Sequence, residues 1–110
     1  HALETAMNYS GITHGQGVSI GIVAAAYLAE AKGLMSAGEV ERVKGLLETF
    51  GLPIAIQERD PQTLLKLMQG DKKNQGGRKI LILPKGIGQA IVSRECTDEE
   101  ILAAWHQVIV

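Results

Sequence analysis

From Gly15 to Ala29 the chain runs for 15 residues without a charged side chain. A membrane-spanning helix needs about 20 predominantly apolar residues, and this run is interrupted by Gln16, Ser19 and the glycines 15, 17 and 21. It reads instead as a helix from about Gly15 to Lys32, buried nearly all round inside a protein, with Gly33 ending it. The small residues Gly17, Ser19, Gly21, Ala24, Ala25 and Ala26 would let other backbones approach closely. A chain of 110 residues that is 45% hydrophobic and 21% charged is a globular domain rather than a disordered tail.

Charge narrows the function classes. Eleven Lys and Arg against twelve Asp and Glu give a net charge of −1. A nucleic-acid binder needs a positive field to meet phosphates, so no nucleic-acid partner is expected, and no membrane. The lone Cys96 cannot form an internal disulfide, which fits a reducing compartment. No secretory leader pattern opens the chain, and a cytoplasmic location is expected. The chain begins at His1, directly before helical sequence, and is expected to be cut from something longer.

The remaining pattern is mostly helical. Ala2 to about Met7 reads as a short helix. Ser36 with Glu39 forms a capping box that opens a helix carrying Val40, Val43, Leu47 and Phe50 inward and Glu41, Arg42, Lys44 and Glu48 outward. Asp60-Pro61 opens a short amphipathic helix carrying Leu64, Leu65 and Met68, ended by Gly70. A polar loop spans residues 71–78. Lys79–Leu83 and Gln89–Val92 read as a β-hairpin about a turn at Pro84–Gly88. Thr97 with Glu100 caps a final helix whose apolar face is Ile101, Ala104, Trp105 and Val108.

Few residues carry chemistry. His1 and His14 lie thirteen positions apart, which suits one ligand on a helix and one at the start of the next element. A catalytic zinc usually has three protein ligands and one open position. Two histidines therefore do not close a site, and Glu4 is the only nearby carboxylate. Spacing alone favours ordinary surface or turn histidines. His106 is expected to face solvent. Lys72 and Lys73 read either as a solvated charge pair or as a point-charge clamp for phosphate or carboxylate. Cys96, beside Glu95, is not expected to be a nucleophile. Gly86-Ile87-Gly88 reads as a turn, not as a nucleotide-binding loop.

Taken together, these residues resemble the C-terminal domain of the 3-dehydroquinate synthases. The resemblance lies in His1-Ala2-Leu3-Glu4, then Thr13-His14-Gly15-Gln16-Gly17-Val18-Ser19-Ile20-Gly21. It continues through Gly33-Leu34-Met35, Gly51-Leu52-Pro53, Asp71-Lys72-Lys73-Asn74 and Arg78-Lys79-Ile80 into Pro84-Lys85-Gly86-Ile87-Gly88. It implies a fold class that is mostly α: a helical metal- and substrate-binding domain over residues 1–110 with one small hairpin. Such a domain is normally paired with an N-terminal α/β NAD-binding domain, here absent.

In that family, the helical motif Gly-His-x-x-Gly-His-Ala-x-Glu carries two histidines. His1 matches the second, which implies a catalytic and substrate-binding role. His14 matches a zinc-ligating histidine, and Lys72 a substrate-binding lysine. The other metal ligands would lie before His1. Gln16 stands where a glutamate usually follows His-Gly. The implied reaction converts the sugar phosphate 3-deoxy-D-arabino-heptulosonate 7-phosphate to 3-dehydroquinate plus phosphate. It oxidises the substrate with NAD, eliminates phosphate, reduces again and closes the ring.

NAD and zinc (or cobalt) are the implied cofactors, and a homodimer is the implied full-length assembly. The isolated chain is expected to be inactive and to hold zinc weakly or not at all. It is also expected to expose the cleft side of its long helix. Competing readings are another sugar-phosphate cyclase such as a 2-deoxy-scyllo-inosose synthase, an iron-dependent alcohol or glycerol dehydrogenase, and a free-standing helical interaction module. The Asp71–Asn74 motif favours the cyclase over the dehydrogenase.

Overall fold

The computed structural model of the chain describes residues 1–7, 11–57, 60–69 and 79–110. Among them are five helices and one hairpin: α1 (Ala2–Ala6), α2 (His14–Ala31), α3 (Ala37–Thr49), α4 (Pro61–Gln69), β1 (Lys79–Pro84), β2 (Ala90–Cys96) and α5 (Asp98–Val108). The mostly helical class with one small hairpin is as expected. The loop at 71–78, with Gly70 before it, lies outside the described residues.

Helix α2 is the centre of the domain. It packs against α1, α3, α5 and β1, burying Ile20, Val23, Ala24, Ala26, Leu28 and Ala29. The close approach expected along its small residues is not found at Gly21, where nothing lies within 4 Å of the place a Cβ would take, and at Gly17 it is the Glu4 side chain that comes near. Gly33 takes a left-handed conformation (φ +76°). Leu34 N–H then donates to Ala29 O at 2.8 Å and Gly33 N–H to Glu30 O at 3.0 Å, which closes the helix end. Burial all round is not what the structure shows. Val18 and Ile22 are exposed, because the elements packed on α2 cover only part of its circumference.

The capping box of α3 forms as expected, with Ser36 Oγ accepting from Glu39 N–H at 3.1 Å and Glu39 Oε1 from Ser36 N–H at 3.0 Å. Val40 is buried, and Val43 and Leu47 pack at the edge of the core. Phe50 departs from expectation: it is the C-cap residue and 73% exposed. Its position at the rim of the apolar stripe, on the helix's last turn, carries it past the surface that α2 supplies. Lys44, expected to face outward, is half-buried, and its Nζ donates to Tyr27 Oη at 2.8 Å. That bond raises the lysine's pKa against the opposing effect of desolvation.

The hairpin is antiparallel, with Leu81 opposite Ser93, Ile82 opposite Val92 and Leu83 opposite Ile91. Strand β2 runs four residues beyond the expected end, from Val92 to Cys96. Arg94 and Glu95 are exposed while Ser93 and Cys96 are buried, so one face of the strand is wet and the apolar run is interrupted. The turn docks onto the α2–α3 corner through Gly86 N–H to Leu34 O at 2.9 Å and Ile87 N–H to Glu39 Oε2 at 3.1 Å.

Helix α5 buries Ile101, Ala104, Trp105 and Val108, the expected face. Trp105 Nε1 donates to Met68 Sδ at 3.2 Å and so meets α4. Its start is tied to the end of α2, where Lys32 Nζ lies 3.1 Å from both carboxylate oxygens of Glu100. Beyond α5, Ile109 pairs with Ile56 in a single parallel bridge.

Candidate metal and substrate site

The start of α2 is built by a capping box that also fixes His14. Thr13 Oγ1 accepts from Gln16 N–H at 3.1 Å, and Gln16 Oε1 accepts from Thr13 N–H at 2.9 Å. Thr-x-x-Gln is capping-box spacing, a signal that the expected helix start at about Gly15 passed over. It gives Gln16, the departure from the family pattern, a local role that either glutamine or glutamate can fill. His14 is thereby the first residue of the helix.

Helix α1 faces this start. Its buried Ala2 and Leu3 anchor it, and Glu4 in its first turn reaches across. Glu4 Oε1 lies 2.9 Å from His14 Nδ1. The Glu4 side chain is 15% exposed and that of His14 71%, so the carboxylate is largely enclosed and the imidazole largely open. Glu4, one turn along α1 from His1, was visible as the only nearby carboxylate. The ten positions separating it from His14 gave no sign that the two would meet.

The expected site residues separate as follows. His14 belongs to the Glu4 pair. His1 is the exposed N-cap of α1, makes no side-chain capping bond, and is not part of that pair. Lys72 lies outside the described residues, as do Lys73 and Asn74. His106 is exposed on α5, as expected. Cys96 is buried, with Sγ 3.4 Å from Ser93 Oγ.

A cavity of about 540 Å³ lies between α1, α2, α4, β1 and α5, with His1 on its lining. Among the described residues its lining side chains are apolar apart from those of His1, Thr5 and Trp105.

The donor chemistry fits zinc in part. Zinc-ligating histidines almost always engage their other ring nitrogen with a carboxylate, carbonyl or water, and His14 does so. Among the described residues no group of three or more His, Cys, Asp or Glu side chains gathers to complete a metal site. The Glu4 contact is thus the one feature of a metal-binding histidine that His14 shows. Among the described residues the strands form an antiparallel hairpin, not the parallel strand–glycine loop–helix unit of a dinucleotide-binding fold. No helix among these residues is long and apolar enough to cross a membrane.

Comparison with known proteins agrees with the motifs. The family model described as 3-dehydroquinate synthase C-terminal matches residues 1–74. The 3-dehydroquinate synthase of Pseudoalteromonas atlantica (strain T6c / ATCC BAA-1087) is 44% identical over 93% of this chain and 29% of its own length. That of Synechococcus sp. (strain CC9605) is 38% identical over 98% of this chain and 29% of its own. The chain thus spans under a third of the length of these relatives. Among solved structures, the 2-epi-5-epi-valiolone synthase of Streptomyces hygroscopicus subsp. jinggangensis 5008, with NAD+ and Zn2+ bound, superposes with a TM-score of 0.79. It is 27% identical, and the match covers 90% of this chain and 28% of that one. The ordered motifs, the helical fold and these matches agree, and the chain belongs to the 3-dehydroquinate synthase C-terminal family.

Proposed function

We propose that this chain is the C-terminal helical domain, residues 1–110, of a cytoplasmic 3-dehydroquinate synthase. The whole enzyme converts 3-deoxy-D-arabino-heptulosonate 7-phosphate to 3-dehydroquinate and phosphate, a carbon–oxygen lyase reaction of the shikimate pathway. The observation that carries the reading is the family match from His1 through the Asp71–Asn74 motif. A homodimer and an N-terminal α/β domain that holds NAD belong to the same reading. The Streptomyces relative supports NAD and zinc as cofactors, since its structure holds both.

In this reading His14 is one zinc ligand and offers Nε2, because Nδ1 is engaged by Glu4. Held there, zinc would supply the positive charge that polarises the hydroxyl to be oxidised. His1 acts at the substrate, where an imidazole can hold or move a proton. The Lys72 ammonium binds the substrate's carboxylate or phosphate, a contact that orients without taking part in bond making.

The test is a hybrid enzyme in which this chain replaces the matching segment of the Pseudoalteromonas atlantica 3-dehydroquinate synthase. Turnover of the heptulosonate phosphate is expected in the hybrid and not in the isolated chain. Losing one charge-assisted contact in a closed cleft typically costs about 2–4 kcal/mol, so Lys72→Ala should lower kcat/KM roughly 30- to 1000-fold. Zinc should be retained in that variant, and Lys73→Ala should do much less. A folded hybrid that turns over only sugar phosphates lacking the carboxylate would replace this reading with the 2-deoxy-scyllo-inosose synthase type.

A further inference from the structure

The pair formed by Glu4 and His14 has a direction. An ionised carboxylate only accepts hydrogen bonds. At 2.9 Å from Glu4 Oε1, Nδ1 of a neutral His14 must therefore carry the ring proton. The lone pair then resides on Nε2, the ring nitrogen away from Glu4, on a side chain that is 71% exposed. Glu4 itself is held. It sits in the first turn of a helix anchored by Ala2 and Leu3, with its carboxylate against the first turn of α2, where helix N–H groups favour negative charge.

Gly17, three residues after His14 and on the same side of α2, gives the approach room. A Cβ built there would stand 3.5 Å from Glu4 Cγ and 3.9 Å from Oε1. That is ordinary contact, so alanine would fit, but any longer side chain would enter the carboxylate's space.

We infer that Glu4 is a positioning residue for metal binding. It locks His14 in the Nδ1–H tautomer and leaves Nε2 as the donor atom. The inference rests on the reading of His14 as a metal ligand, but it makes a claim about the metal-free protein as well. Without a partner at Nδ1, an imidazole distributes its proton between both nitrogens and rotates freely. Part of the population would then present a protonated nitrogen to the metal. Carboxylates in this position typically change metal affinity about 10- to 100-fold.

Two measurements test it. The first is the tautomer of His14 in the ¹⁵N-histidine-labelled, metal-free 110-residue chain, read from long-range ¹H–¹⁵N couplings. Nδ1–H is expected in the parent and in Glu4→Gln, whose amide oxygen can still accept, and a mixture is expected in Glu4→Ala. The second is the Zn2+ affinity of the hybrid enzyme, by chelator competition. Glu4→Ala should weaken it about 10- to 100-fold, Glu4→Gln by less, and His14→Ala most of all. An Nε2–H tautomer in the parent overturns the inference, whether or not Glu4→Ala folds. So does a folded Glu4→Ala that binds Zn2+ like the parent while His14→Ala does not. If instead His14→Ala leaves Zn2+ affinity unchanged, it is the ligand reading that fails.

Discussion

Ser19 is a sharp place to perturb this fold. It is one of the few buried polar residues, one turn beyond the His14 site on α2. Its Oγ–H donates to the carbonyl of Pro53 at 2.6 Å, across 34 positions of sequence. The bond pins the first half of α2 to the segment that follows α3. Ser19→Ala removes the donor. A hydrogen bond of this kind contributes about 0.5–1.5 kcal/mol net, and a stranded buried carbonyl adds up to about 1–3 kcal/mol. Pro53 is only half-buried, so water can reach part of the freed carbonyl and the added cost stays near the lower bound. Alanine's better helix propensity returns a few tenths, roughly 0.3 kcal/mol. The balance is a loss of about 1–2 kcal/mol, read as a fall of about 0.5–1 M in urea midpoint with the slope unchanged. Far-UV circular dichroism of the two proteins provides the assay. A midpoint unchanged or raised would show that the short bond contributes nothing and that packing alone holds α2 to this segment.

Two further outcomes follow from the same geometry. The Glu100 carboxyl is held below the ordinary carboxylate range by the Thr97 N–H first and Lys32 second. Its stabilising contribution is therefore complete above the unfolded value of about 4.3 and is lost as pH falls through the lower folded value. Glu39 behaves alike, lowered by the Ser36 N–H against desolvation and then by the Ile87 N–H. The Tm should thus fall on acidification from about pH 5 to about pH 3, and less steeply in Glu100→Gln; parallel profiles would remove Glu100 from the account. At the hairpin turn, Gly86 has φ +62°, and a Cβ there would stand 3.1 Å from Glu39 Oε2. Gly86→Ala should lower unfolding free energy by about 1–2 kcal/mol, whereas Lys85→Ala should be near neutral in the same denaturation series.

What could be read in advance depended on range. The Ser36–Glu39 and Thr97–Glu100 boxes close within one turn, and the buried face of α5 follows from helical spacing, so local residues decide them. Phe50 and the far end of β2 were misplaced because the surfaces that cover or leave them open come from elsewhere in the chain. The Ile56–Ile109 bridge, the Lys32–Glu100 tie across 68 positions and the Ser19–Pro53 bond had no local signal at all. The site divides in the same way. The proposed role of His14 rests on a motif of contiguous residues. Its pairing with Glu4 depends on how α1 meets α2, which periodicity does not encode.

His14 is proposed as the zinc ligand that this domain contributes to a sugar-phosphate cyclase. The most direct test is the zinc content of the hybrid enzyme and of its His14→Ala variant, measured by elemental analysis beside 3-dehydroquinate formation. Near-stoichiometric zinc is expected in the parent, with metal and turnover lost together in a variant that remains folded. Stoichiometric zinc retained in folded His14→Ala would contradict that proposal.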